Sequence, residues 1–325
     1  MLPFPQHTVA QCGVFTNRQA ASDGWTRSAL RWGVRSGQLT QPRRGTHQVT
    51  EPIDVDRFEH ARWLHAAPAI AAALMIPGAM ASHSTSAVLH RLPLAFTPQH
   101  PCVSVVPWHT GAVDGVHVHR TTSQDLTLPV GAAPCLSIAR TVVDLAREHG
   151  VASGVVPLDY ALHHSLVTMD EVDETLDHCF RWPGVRAARA AAAAADSHSE
   201  SVLESLSRLK IVDYGLPSPE PQRLIGDLNG RAIARVDFYW DRFGVVGEAD
   251  GLTKYDEGDD EDERNPLQKE KIRQELLERL GLIVVRWMTS DLAGFESVVH
   301  RLRNAFRTGL RRPPNERRWT VLNPL

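Results

Sequence analysis

At 325 residues the chain is too long for one small module, and at roughly 100–200 residues per domain two or three domains are expected. Apolar residues make up 42% and charged residues 22%, ordinary globular usage that excludes a collagen-like, disordered or disulfide-scaffold chain. The formal net charge of −3 excludes a globally basic nucleic-acid binder, so any such surface has to be local.

Cys12, Cys102, Cys135 and Cys179 form no C-x-x-C pair and read as isolated reduced thiols. The longest uncharged apolar stretch, Ala66 to Ala81, is broken by Pro68, Pro77 and Gly78 and is shorter than the roughly 20 residues that span a bilayer. No basic segment followed by an apolar one opens the chain, so the expectation is a cytoplasmic protein with no membrane association. Of the 35 basic residues only four are lysines, Lys210, Lys254, Lys269 and Lys271, all in the C-terminal third.

The charge is unevenly spread. Residues 1–50 carry Arg18, Arg27, Arg31, Arg35, Arg43 and Arg44 against Asp23 alone. Thr16 is placed to cap a short helix that stops near Gly24, and Thr26 a second helix from Arg27 to about Ser36, closed by Gly37. Leu39–Thr40 and Thr46–Val49 read as short strands around a basic turn, Pro42-Arg43-Arg44-Gly45. Helix, turn, helix and hairpin make a winged helix-turn-helix over residues 1–52. Arg27, Arg31 and Arg35 recur every four residues and form one cationic stripe on the second helix. Such a helix suits the major groove of double-stranded DNA, with the wing at Arg43 and Arg44 reaching phosphate. The segment from Val14-Phe15-Thr16 to Arg44-Gly45 resembles the N-terminal winged helix of abortive-infection antitoxins of type IV toxin–antitoxin systems. That resemblance implies DNA binding and a possible cognate toxin.

Residues 53–195 read as an α-rich middle region. Helical periodicity covers Asp56–Met75, and a helix starts at Ser82 or Ser84 and ends by Leu92. Cys102–Val106 and Val116–Arg120 look like strands, and Leu136–His149 like an amphipathic helix. Ser82 to Ala87 and Ala139 to Leu145 resemble the region that follows the winged helix in actinobacterial antitoxin-like proteins. His117 and His119 share one side of their strand. A metal pair is possible there, but sequence places no third ligand, and a structural or surface role is the preferred reading.

From residue 196 to 325 the expected order is αβββαβ with a last helix and a basic tail. A helix runs to about Asp213; strands follow at Pro221–Ile225, Ala232–Trp240 and Val245–Ala249; a helix opens at Pro266, a strand covers Leu282–Trp287, and Asp291 caps the last helix. On Ala234–Trp240 the even positions are apolar, so one face should be buried and the other presented. If Asp241–Gly244 is a four-residue loop, Trp240 pairs with Val245 and Asp237 falls opposite Glu248, with Asp250 on the same face. Like charges so placed need a raised pKa or a bound cation. Hard oxygen ligands suit Mg²⁺ or Mn²⁺, which can activate water at a phosphodiester.

These residues resemble the PD-(D/E)XK nuclease fold, in its branch similar to very-short-patch-repair endonucleases. The matching stretches are Ser201 to Ser205 with Arg208, Pro219 to Gln222, Arg235 to Asp237, Glu248 to Gly251 with Lys254-Tyr255, and Glu270 to Arg273. The resemblance implies that Asp237 and Glu248 hold the metal and that Glu204 completes its shell or binds its water; the hairpin register adds Asp250 to the metal cluster. The motif's lysine is replaced by Asp250; Lys254 and Lys271 are its candidate substitutes, and Arg273 a DNA contact. Asp256 to Glu263 holds seven acids in eight residues, a solvated loop or a self-inhibitory lid. The leading expectation is a metal-dependent DNA endonuclease guided by a winged helix, in phage defence or repair. The alternative is a non-catalytic DNA-binding antitoxin or transcriptional regulator with an inactive nuclease fold. Nothing in the sequence sets the oligomeric state.

Overall fold

The computed structural model describes residues 3–51, 53, 55–105, 114–121, 127–131, 133–251, 266–313 and 317–322, without the side chains of 127–129 and 266–270. Lys254 and the acidic run Asp256 to Glu263 lie outside the described residues. The chain divides into two compact units, Met1–Ala195 and Asp196–Leu325.

The first unit begins with β1 (Val14–Thr16), α1 (Asn17–Ser22), α2 (Arg27–Arg35), β2 (Leu39–Thr40) and β3 (Thr46–Val49). The caps are those that the sequence predicts. The Thr16 hydroxyl accepts from the Gln19 N–H while the Gln19 side chain accepts from the Thr16 N–H, and Thr26 accepts from the Ala29 N–H. Each cap satisfies a backbone donor that the first helical turn leaves open. The strands form an antiparallel sheet in the order β1-β3-β2. Phe15, Ala20, Trp25, Leu30, Leu39 and Val49 make its core. Gly33 lets α2 approach β2, since a Cβ there would lie 2.7 Å from the Leu39 side chain.

There follow α3 (Arg57–Met75), β4 (Ala79–Ala81), α4 (His83–Leu89), β5 (Cys102–Val105), β6 (His117–Arg120), β7 (Thr127–Val130), β8 (Ala133–Leu136) and the helices α5 (Ile138–His149), α6 (Val151–His163), α7 (Met169–His178) and α8 (Val185–Ala194). This region is mixed α/β rather than mostly helical. Its five strands lie in the order β6-β5-β4-β8-β7. The sequence reading contains β5 and β6 but neither β4 nor β8. Those two are short and Ala- or Pro-bearing, and they pair in parallel across a long span, Ala81 with Cys135, which leaves no local hairpin signal. The alanines of α3 explain how the helix sits close to the sheet: Ala66, Ala67, Ala69, Ala71 and Ala72 are all buried.

The second unit runs α9 (Val202–Asp213), β9 (Glu220–Asp227), β10 (Ala232–Trp240), a 3-10 turn at Asp241–Phe243, β11 (Val245–Asp250), α10 (Pro266–Arg279), β12 (Ile283–Met288), α11 (Glu296–Leu310) and β13 (Trp319–Leu322). The sheet order is β12-β11-β10-β9-β13, with β11 and β12 parallel. The end of the basic tail is therefore an edge strand, Trp319 pairing with Asp227 and Leu322 with Leu224.

Two cores cover this sheet. Leu203, Phe238, Trp240, Trp287, Leu302 and Phe306 belong to one cluster; Ile225, Ala234, Val236, Tyr239, Val246, Leu277 and Trp319 to the other. The alternation on β10 thus does not mark one buried face and one presented face. Its apolar residues divide between two clusters, as in a sheet covered on both sides.

Gly309 seats α11 against the β10–β11 turn, because a Cβ there would lie 1.9 Å from the Phe243 carbonyl oxygen. Gly309→Ala is expected to destabilise the second unit by about 1–3 kcal/mol, the usual cost of overpacking. Urea melts of the two proteins check this. Among the described residues no helix is long and apolar enough to cross a membrane.

Candidate functional site

Two surfaces follow from the sequence reading, one in each unit. In the winged helix, Arg27, Arg31 and Arg35 are exposed along α2, as a four-residue spacing requires. With Asn17, Leu30, Val34, Gln41 and His47 they line an open groove of about 440 Å³. Arg44 is exposed and Arg43 half-buried in the turn between β2 and β3. The Arg43 carbonyl is held by the Thr46 N–H and hydroxyl, at 3.0 and 2.8 Å, which stiffens the wing. All five arginines sequence reasoning singles out here belong to one contiguous 50-residue segment.

In the second unit the hairpin register is the one the sequence predicts: Trp240 pairs with Val245 and Phe238 with Gly247, so Asp237 follows opposite Glu248. The Asp237 Oδ2 accepts from the Ala249 N–H at 2.7 Å. Glu248 is 1% exposed. Its Oε2 accepts from Arg273 Nη2 at 2.6 Å, while its Oε1 is buried with no hydrogen-bond partner. Arg273 also donates to the Arg235 carbonyl at 3.0 Å. Arg273, expected as a DNA contact, is thus engaged with a buried carboxylate.

Glu204 joins from the first turn of α9. Its Oε1 accepts from Ser201 Oγ at 2.8 Å, and its Oε2 from Gln222 Nε2 at 2.8 Å and the Glu200 N–H at 3.1 Å. Gln222 Nε2 also reaches Asp237 Oδ1 at 3.5 Å. Gln222 therefore bridges two carboxylates, and its backbone sits at φ +49° within β9, a strained conformation for a non-glycine residue. Sequence reasoning quotes Gln222 in a motif but gives it no role. The signal available was its place beside Pro221, at a strand start.

The remaining candidates separate. Asp250 is half-buried, with Arg286 Nη1 3.7 Å from its Oδ2. Lys271 is exposed on α10, two residues before Arg273 and so roughly 200° around the helix from it. Among the described residues no set of three carboxylates from Glu204, Asp237, Glu248 and Asp250 brings one oxygen each within 4.8 Å of the others. Guanidinium and amide donors face the like charges here.

Burial, with the Asp237 carboxylate next, pushes Glu248 up to about 7 against the pull of Arg273 and Arg286. Burial and Asp237 raise Glu204 as well. The sign for stability follows. Between the ordinary 4.5 and about 7 the folded chain keeps a proton that the unfolded chain has lost, so stability falls as pH rises through that window and levels off above it. In chelator-treated protein the second unit should melt higher near pH 5 than near pH 7.5. The slope is at most about 1.4 kcal/mol per pH unit for one group, and Glu248→Gln should flatten most of it. A melting temperature that climbs across this window would contradict the assignment.

Residues 10–50 match the family model described as "Transcriptional regulator, AbiEi antitoxin". The uncharacterized proteins MT2308 and Rv2248, from two strains of Mycobacterium tuberculosis, are each 30% identical over 154 residues, 47% of this chain and 54% of theirs. The chain thus spans about half the length of the curated relatives it matches. The crystal structure of the RV2827C protein from Mycobacterium tuberculosis aligns at 20% identity over 55% of this chain and 73% of that one, with a TM-score of 0.30. The N-terminal segment is therefore similar to an AbiEi-type antitoxin regulator domain.

Proposed function

We propose that the chain is a DNA-binding transcriptional regulator of the antitoxin type, gripping duplex DNA through α2 and the β2–β3 wing. One observation carries this reading: the segment that matches the antitoxin regulator family, residues 10–50, is the segment that bears the exposed arginine stripe. A helix flanked by a basic wing combines groove access with phosphate contact. A cognate toxin is the protein partner that this reading implies. The test is selection from a random pool of duplexes by the full-length chain. A reproducible enriched motif is expected; recovery of unenriched DNA would sink the regulator reading.

A second reading keeps the nuclease. What favours it is Glu248 Oε1, buried without a partner beside Asp237. In this reading Asp237 and Glu248 would hold Mg²⁺ or Mn²⁺, and the ion would supply Lewis-acid chemistry at a phosphodiester; Asp250, now beside Arg286, would have to move to join them. Glu204 and Gln222 hold Asp237 in place, and the Arg273 guanidinium has to shift from Glu248 to free its second oxygen. The two readings part in a supercoiled-plasmid assay with chelator controls. On the nuclease reading wild type cuts, and Asp237→Asn or Glu248→Gln lowers the rate at least about 100-fold, several kcal/mol of lost transition-state stabilisation. On the regulator reading no protein cuts.

A further inference from the structure

One strand histidine, His119, meets two further candidate ligands from elements that sequence could not connect to it. His83 opens α4, His119 lies on β6 and Glu148 is near the end of α5. Glu148 Oε2 is 3.2 Å from His83 Nε2 and 3.5 Å from His119 Nε2. The three ligand atoms all lie within 4.8 Å of one another. His117 Nδ1 is 3.6 Å from the other carboxylate oxygen, Oε1.

The distances are informative. Metal–ligand bonds of about 2.0–2.1 Å in tetrahedral geometry put neighbouring ligand atoms about 3.3–3.4 Å apart. The carboxylate-to-imidazole separations bracket that value, and the longer of them exceeds an ordinary N–H···O hydrogen bond. His119 Nε2, one of the three ligand atoms, is buried without a hydrogen-bond partner. A buried polar atom of this kind is rare unless a water or an ion serves it. His83 also holds its backbone at φ +48°, a cost the surroundings have to impose. A cleft of about 320 Å³, lined by His83, His117, His119 and Glu148 among others, opens onto the cluster.

We propose that His83, His119 and Glu148 form a three-ligand site for a divalent transition ion of the zinc type, with a fourth position facing the cleft. Two imidazoles and one carboxylate suit zinc, cobalt or nickel rather than magnesium or calcium, which prefer all-oxygen shells. The His83 and His119 rings now stack at 3.7 Å between centroids and 18° between planes. Ligation requires them to pivot so that both Nε2 lone pairs meet one ion. His117 positions the carboxylate from its other side. Cys102 groups with His117 and His119 rather than with His83 and Glu148, so it lies outside the proposed shell.

The test uses the full-length chain without a histidine tag, stripped with a chelator and titrated calorimetrically with Zn²⁺, then with Co²⁺ for its visible spectrum. One Zn²⁺ per chain is expected, and a cobalt spectrum of low-coordinate nitrogen and oxygen ligation. Glu148→Gln, close to isosteric, and His119→Ala should each weaken Zn²⁺ at least about 100-fold, the upper end of what losing a mere supporting partner costs. His117→Ala should cost less, and Cys102→Ser should change neither affinity nor spectrum. Circular dichroism checks that each variant is folded, and the cobalt spectrum of wild type tests the ligand set independently of any variant. Absence of saturable Zn²⁺ binding overturns the proposal. So does wild-type affinity in folded Glu148→Gln, or a thiolate-to-cobalt band that Cys102→Ser removes.

Discussion

Replacing Arg43 and Arg44 together by alanine is expected to cut duplex-DNA affinity about 10–100-fold and to flatten its salt dependence. The two side chains sit on the wing turn, Arg44 exposed and Arg43 half-buried, and neither supports the core of the winged helix, which is built from Phe15, Ala20, Trp25, Leu30, Leu39 and Val49. Each phosphate that an arginine neutralises releases counterions and adds about 0.9 to the slope of log affinity against log salt. Losing two such contacts lowers the slope by about 1.8, so between 50 and 200 mM salt wild type should lose about 12-fold more affinity than the variant does. Fluorescence anisotropy across that range measures both quantities. Arg31→Ala is expected to behave differently in one respect: a groove-facing arginine also carries sequence preference, so its loss should narrow the gap between preferred and random duplexes. Unchanged slope in the Arg43, Arg44 double variant would remove the wing from the interface.

The second large effect concerns stability. Asp144 and Arg140, both on α5, are 1% and 2% exposed. Arg140 Nε donates to Asp144 Oδ2 at 2.7 Å, and Arg147 pairs with the other carboxylate oxygen. Both guanidiniums lie over the Trp182 ring, at 4.3 and 4.9 Å from its centroid. Arg147 also donates to the Pro183 carbonyl at 2.9 Å, tying α5 to the loop before α8. Asp144→Ala strands a buried cation whose Nη1 already has no hydrogen-bond partner. The expected cost is about 3–5 kcal/mol, a fall in the first unit's melting temperature on the order of 10 °C. A loss under about 1 kcal/mol would mean that water or another group reaches Arg140. Replacing Arg140 and Asp144 together by apolar residues should recover part of the loss, because it removes the buried Arg140 charge while Arg147 is left with the Pro183 carbonyl.

What the sequence made legible was what is local. Thr16 and Thr26 cap the helices they precede, and the arginine wing follows from Pro42 to Gly45. The hairpin that sets Asp237 opposite Glu248 was legible too, because a four-residue loop dictates register. What escaped depends on distant partners. Nothing in the local pattern of α10 says that Arg273, 25 positions on, will pair with Glu248. Gln222 bridges Glu204 and Asp237 only because a kinked strand turns it inward. The strand β13 was hidden in a basic tail, where Trp319 is buried and Val321 packs against the same core. His83 and Glu148 meet His119 across a sheet whose strands β4 and β8 were not recognised, so a histidine pair on one strand looked incomplete.

The claim on which the functional account rests is that DNA meets the winged helix. Hydrogen–deuterium exchange of the full-length chain, with and without a 20-base-pair duplex, asks this directly. Slowed exchange is expected along Arg27–Arg35 and across Leu39–Val49, with little change in Val202–Leu310. Slowed exchange confined to the second unit, with residues 10–50 unaffected, would contradict the account.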